Sequence, residues 1–258
     1  MKLGVLLTLV LTVTSQGGTS MSPGLRYAPF NHAQNLTKSD DITRLLERVK
    51  SRSTTERREA IDQLAESGDP RAVEPVIAAL KDQEGDVRAS AANALGQLGD
   101  KRAVEPLISM LNDEVSFVRA AAARVLGQLG DAKSVDPLTT SLKDGNSTVR
   151  GAAAMGLGSL KEVRAVPPLI STLRDEAPDV RSAVAAALGD LRDKRAIDPL
   201  IGALKDEYRM VRLAAALAIA DIGDKRALPA LTEALSNEKE EEARSQMKEA
   251  VQKLMAAP

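Results

Sequence analysis

The sequence predicts an all-α solenoid, a stack of about six to seven two-helix repeats on a 31-residue period. Three observations predict it. The stretch from Asp100 to Gly130, DKRAVEPLISMLNDEVSFVRAAAARVLGQLG, recurs nearly letter for letter in copies that adjoin without gaps. Its apolar residues, Val104, Leu107, Ile108 and Leu111 and then Val118, Ala122, Val125, Leu126 and Leu129, fall at helical spacing in two separate sets. The copies at either end depart from the consensus, as terminal units must when every other unit buries its apolar face only against its neighbours.

In chain order, residues 1–15 read as a secretory signal peptide. Lys2 precedes an apolar run of about eleven residues, Leu3 to Val13, and small polar residues follow at Thr14, Ser15 and Gly17. The run is too short to span a bilayer comfortably, which takes roughly 20 residues, and an uncleaved anchor is the alternative reading. Val13 and Ser15 suit the small-residue positions before a cleavage at Gln16, so export is expected, to a bacterial periplasm or the extracellular space, with no stable membrane insertion after cleavage. The chain has no cysteine, which excludes a disulfide framework and lipid attachment through an N-terminal Cys. Residues 16–40, rich in Gly, Ser, Pro and Asn and without periodicity, read as a flexible linker in which Tyr27 and Phe30 are scattered aromatics, a short docking peptide being the alternative. Asn35 and Asn146 carry Asn-x-Ser/Thr sites that matter only in a eukaryotic secretory pathway. Residues 41–68 are a degenerate N-terminal capping repeat that keeps register, since Arg57 stands one period before Arg88. Five full units occupy 69–223, starting at Asp69, Asp100, Asp131, Glu162 and Asp193. Residues 224–258 form a diverged C-terminal cap, where SNEKEEEARSQMKEAVQKL replaces the alanine-rich pattern with charge.

Each unit is expected to be two antiparallel helices, A and B. Pro75, Pro106, Pro137, Pro168 and Pro199 belong in the first turn of helix A, where a missing N–H costs nothing, so that helix should start about three residues earlier. Gly99, Gly130 and Gly223 follow helix B as left-handed caps. Gly96, Gly127, Gly158 and Gly189 lie inside helix B, although glycine there costs about 1 kcal/mol relative to alanine. Close approach of adjacent B helices, lined also by Ala91, Ala122, Ala153 and Ala215, is the expected compensation. With two Phe, two Tyr and no Trp, the core must be Leu, Val, Ile and Ala, which permits that approach.

An acid and an arginine recur six residues apart across the A–B turn: Asp82 with Arg88, Asp113 with Arg119, Asp144 with Arg150, Asp175 with Arg181, and Asp206 with Arg212. They can meet as charge-assisted hydrogen bonds within a unit or between neighbours. A structural ladder that sets the inter-repeat angle is the expectation, because each acid has a dedicated cation.

The pattern D-x-R-A-V-x-P-L-I-x-x-L-x-D followed by V-R-x-x-A-A-x-A-L-G-x-L-G, over Asp69 to Gly223, resembles the HEAT repeats of the phycobilisome (PBS) lyase type and artificial proteins designed on that consensus. The resemblance implies a right-handed superhelix of the armadillo type, with A helices outside and B helices lining a concave face. It also points to bilin lyase subunits and deoxyhypusine hydroxylases as fold relatives.

Composition and motifs narrow the function. A hydroxylase of that kind needs several His-Glu pairs for its di-iron centre, and the single histidine, His32, sits in the linker, so neither that activity nor any catalytic, metal or cofactor site is expected. Gly156-Leu157-Gly158 lies mid-helix with no preceding strand and no third glycine, which argues against a dinucleotide loop. An accessory role in a bilin-lyase-like enzyme is the alternative reading, opposed by the export signal. The basic stripe of Lys101, Arg102, Lys133, Arg164, Lys194, Arg195, Lys225 and Arg226 is neutralised in place by Asp100, Asp131, Glu162, Asp193 and Asp224, and no nucleic-acid binding is expected. What remains is a non-enzymatic scaffold, monomeric alone, that binds a protein or peptide. The B-helix positions that vary between copies fall on one helical face. There Phe117, Met155, Met210, Leu213 and Leu217, with Arg124 among them, are the expected partner-binding residues, because a solitary solenoid has little reason to expose apolar groups such as those five.

Overall fold

The computed structural model describes residues 41–257, so the expected signal peptide, the linker with Tyr27, Phe30 and His32, and Pro258 lie outside the described residues. Among the described residues there are fourteen α-helices and no strand. The A helices are α1 (41–48), α3 (Val73–Ala79), α5 (Val104–Met110), α7 (Val135–Ser141), α9 (Val166–Thr172), α11 (Ile197–Ala203) and α13 (Leu228–Asn237). The B helices are α2 (Thr54–Ser67), α4 (Gly85–Leu98), α6 (Ser116–Leu129), α8 (Ser147–Leu160), α10 (Pro178–Leu191), α12 (Arg209–Ile222) and α14 (Glu241–Ala256). Seven helical pairs follow one another without interruption.

Local chemistry accounts for the boundaries. Helix A starts two residues before its proline, at Val73 before Pro75 for example, because a one-turn 3-10 helix such as Pro70–Ala72 precedes it. The aspartate ahead of that turn caps it: Asp69, Asp100, Asp131, Asp193 and Asp224 each accept the N–H two residues on. Helix B ends in the left-handed region at Gly68, Gly99, Gly130 and Gly223, with φ between 62° and 77°. Two units lack that glycine, and Lys161 and Arg192 take up φ of 56° and 52° in its place.

Consecutive B helices pack along one another and each A helix from α3 to α13 packs on its own B helix, whereas consecutive A helices touch little. The stack is therefore tighter on the B side and curves with the B helices on its inner face. Small residues make this possible. A Cβ at Gly127 would overlap the backbone of Gly156 in the next unit, and one at Gly158 would lie 2.9 Å from the Ala187 Cα. Between the layers one continuous core runs the length of the array, with Leu64, Leu95, Leu126, Leu157, Leu188 and Ile219 fully buried at the same position of successive B helices.

The last unit is built on a longer step. Ala243, Met247, Ala250 and Leu254 are buried in α14 as Val211, Ala215, Ala218 and Ile222 are in α12, one residue out of the 31-residue register. The outer side of α14 is charged, so the array ends on a surface that water can cover.

Candidate binding surface on the B helices

The ladder of acids and arginines joins neighbours. Arg88 donates from Nε and one terminal nitrogen to both carboxylate oxygens of Asp113, at 2.7 and 2.8 Å, and from its other terminal nitrogen to the Asp82 and Gln83 carbonyls. The same arrangement repeats for Arg119 with Asp144, Arg150 with Asp175 and Arg181 with Asp206. Thus Asp82 and Arg88, six residues apart, meet only through the aspartate's carbonyl. The carboxylate of Asp82 goes to Arg57 of the preceding unit. Each arginine locks its own A–B turn and grips the next unit, a bidentate geometry that lysine cannot provide.

Arg57 and Glu238 extend the ladder at its two ends. Glu238 stands where aspartate is expected, one residue late, and its longer arm accepts from Arg212 and from the N–H groups of Lys239 and Glu240. Arg57 was foreshadowed by its 31-residue offset from Arg88, whereas the inserted residue concealed Glu238. Burial would raise the carboxyl of Asp113, but the Arg88 guanidinium and the Val115 N–H outweigh it and hold that group below the usual carboxylate range. For Asp144 the Arg119 hydrogen bonds dominate outright, with the same result.

With the framework locked in this way, the B-helix face is what the fold leaves open. Three of the four variable rows on it face solvent: the row of Phe117 and Met210, the row of Arg124, Met155 and Leu217, and the row of Gln128, Ser159 and Asp190. Phe117, Met155, Met210 and Leu217 are 48%, 55%, 54% and 40% exposed. The fourth row, Ala89, Ala120, Gly151, Ser182 and Leu213, is turned toward the next unit, and the Ser182 hydroxyl donates to the Met210 carbonyl there. Leu213 is consequently buried at 9% exposure and belongs to the core, not to the expected binding set. Arg124 is exposed, and its guanidinium donates to Asn93 Oδ1 one unit back.

Tyr208 escaped the sequence reading because it sits in a turn outside the variable rows. It is 47% exposed and lies against the Arg181 guanidinium at 5.5 Å from ring centroid to Cζ.

The opposite edge carries the basic stripe, and acids meet much of it: Arg102 with Asp100 and Glu74, Lys133 with Glu105, Arg164 with Asp136, Arg195 with Asp193, and Arg226 with Asp224. Among the described residues no three His, Cys, Asp or Glu side chains are grouped to hold a metal, and no helix is long and apolar enough to cross a membrane.

The family model for HEAT repeats matches residues 42–126, 117–177 and 166–252. The chain belongs to the HEAT-repeat family. Solved structures similar to this HEAT array include a chain of the complex of CpcE and CpcF of the phycocyanin lyase from a Nostoc species. There the identity is 23%, covering 90% of this chain and 100% of that one, with a TM-score of 0.56. YibA of Escherichia coli is 22% identical over 91% of this chain and 100% of its own, with a TM-score of 0.58. An engineered protein is 22% identical over 84% of this chain and 69% of its own, with a TM-score of 0.57. At these identities the likeness is one of fold, and a comparison with curated proteins finds no match.

Proposed function

We propose that this HEAT solenoid is a non-enzymatic scaffold that works outside the cytoplasm and binds a protein or peptide along its B-helix face. One observation carries the reading. On a framework whose core is built mainly of Val, Ala, Leu and Ile, the inner face exposes Phe117, Met155, Met210 and Leu217. Apolar groups of this size on a soluble array are stabilised by a partner that covers them. The basic n-region, apolar h-region and small-residue stretch of residues 1–15 support export.

Charge placed on that face tests the binding reading. Phe117→Glu and Leu217→Glu carry carboxylates that water solvates in the free protein and a bound partner would desolvate, at a cost of roughly 3 kcal/mol or a hundredfold in affinity. Helical content and thermal midpoint should hold, while a partner captured by the unaltered protein should be lost. Ser109→Glu, on the exposed outer side of α5, should leave capture intact. Unfolding of the Phe117 and Leu217 variants, or loss of capture with Ser109→Glu, would overturn the reading. The intact mass of the native protein tests export separately: it should begin at Gln16, and a cytoplasmic protein retaining residues 1–15 would overturn the localisation.

A further inference from the structure

The exposed apolar groups of the B-helix face are concentrated toward its C-terminal half, and there they line up. Met155, Ala186 and Leu217 occupy the same position on α8, α10 and α12, one repeat apart, and all three are exposed. With B helices spaced at about 8–10 Å, they make an apolar ridge about 20 Å long, and Met210 widens it at the α12 end.

Carboxylates stand in the rows on both sides of this ridge. Asp179 borders it on α10, and Asp190 and Asp221 border it on the other side. The 32-residue step into α14 puts Glu242 in the row of Met210 and Glu249 in the row of Leu217, both exposed, so the carboxylates continue past the end of the ridge. Lys161 reaches Asp190 at 2.8 Å and Lys253 reaches Asp221 at 2.5 Å. Arg192 also lines the hollow that holds Asp190 and Asp221. Among the described residues, Asp179, Glu242 and Glu249 have no cation within ion-pair distance, so carboxylates outnumber cations at this end of the face. The chain as a whole is nearly neutral, at −1.

We infer that the occupant of this face is a basic amphipathic segment of another protein, with apolar side chains on the Met155–Ala186–Leu217 ridge and Lys or Arg side chains toward Asp179, Glu242 and Glu249. The inference rests on the proposed function and specifies the partner's chemistry. From α8 to α14 the face spans about 25–30 Å, the length of a helix of about 18 residues. Apolar contact supplies the affinity, and the carboxylates select the sign of charge and speed the encounter.

The test uses the full chain and three labelled 18-residue peptides followed by fluorescence anisotropy. One is an amphipathic Leu/Lys peptide, one is its Leu/Glu counterpart, and one has the same lysines with serine in place of every leucine. The Leu/Lys peptide should bind at least tenfold more tightly than either of the others. Its affinity should fall at least tenfold on raising the salt from 50 mM to 500 mM. Asp179→Lys combined with Glu249→Lys should weaken it about tenfold, and Leu217→Lys should do so further, with circular dichroism unchanged. Equal binding of the Leu/Lys and Leu/Glu peptides, if lost in Leu217→Lys, would overturn the basic partner and leave the face as a binding surface. Equal binding of the serine peptide would overturn the role of the ridge. Leu/Lys binding unaffected by all three substitutions would overturn both the inference and the binding face beneath it.

Discussion

At the scale of single residues, each position is judged by what its neighbours in the stack leave it. Position 134 is the plainest case. The equivalent residue in five other units is alanine, Ala72, Ala103, Ala165, Ala196 and Ala227, all fully buried. Here it is Ser134, equally buried, and its hydroxyl has no hydrogen-bond partner among the described residues. A buried hydroxyl that has lost water and found no acceptor is destabilising, and removing it leaves no polar group behind. Ser134→Ala should therefore raise stability by about 1 kcal/mol, read as a higher urea midpoint with an unchanged slope. A lower midpoint would mean that the hydroxyl makes a bond in solution.

Among elements, the B helices depend on approaching more closely than ordinary side chains allow. Glycine inside α6 and α8 lowers their intrinsic helix propensity, and the return is contact across the unit boundary. At Gly127 a methyl group has no space, because the obstacle is the backbone of Gly156 and not a side chain that could turn away. Gly127→Ala is thus expected to destabilise by about 1–3 kcal/mol through overpacking, against a gain of about 1 kcal/mol at an unobstructed helical glycine. Gly151→Ala, on the same face of α8 with nothing near the added carbon, is the contrasting variant and should stabilise. Thermal unfolding of the pair reads the difference directly. If both variants stabilise, α6 and α8 do not approach closely enough for Gly127 to meet the Gly156 backbone.

For the molecule as a whole, the ladder ties stability to pH. Asp82, Asp113, Asp144, Asp175, Asp206 and Glu238 all titrate below their ordinary values in the folded array. A carboxylate depressed on folding contributes stability that is fully present above its unfolded pKa, about 4, and is lost as pH falls through the lower folded value. Unfolding in that window takes up protons at all six rungs together. The denaturation midpoint should accordingly be flat from about pH 5 to pH 8 and fall steeply below about pH 4. Arg150→Ala removes one partner of a central rung and leaves Asp175 buried without its cation, which should cost about 3–5 kcal/mol at neutral pH. The same variant should lose less than the parent on acidification, because Asp175, left with the Ala177 N–H and the nearby Arg181, gains less from being charged. A parallel acid profile in the two proteins would show that the rung contributes nothing to the linkage.

The repeat length, the two helices per unit, the proline and glycine punctuation and the residue types of the ladder are legible in the sequence because each depends on near neighbours in the chain, and the 31-residue period displays the same local solution again and again. Pairing across units is a different matter. Asp82 stands 6 residues from Arg88 and 25 from Arg57, and nothing local chooses between them; the stacking angle brings the second within reach and turns the first toward a carbonyl. Likewise Leu213 and Leu217 are one turn apart on α12 and equally apolar, yet one faces the adjoining unit and is buried while the other stands on the inner face. The offset between neighbouring B helices decides which of the two is free to meet a partner, and that offset comes from contacts between helices, which the spacing of residues along any one of them does not contain.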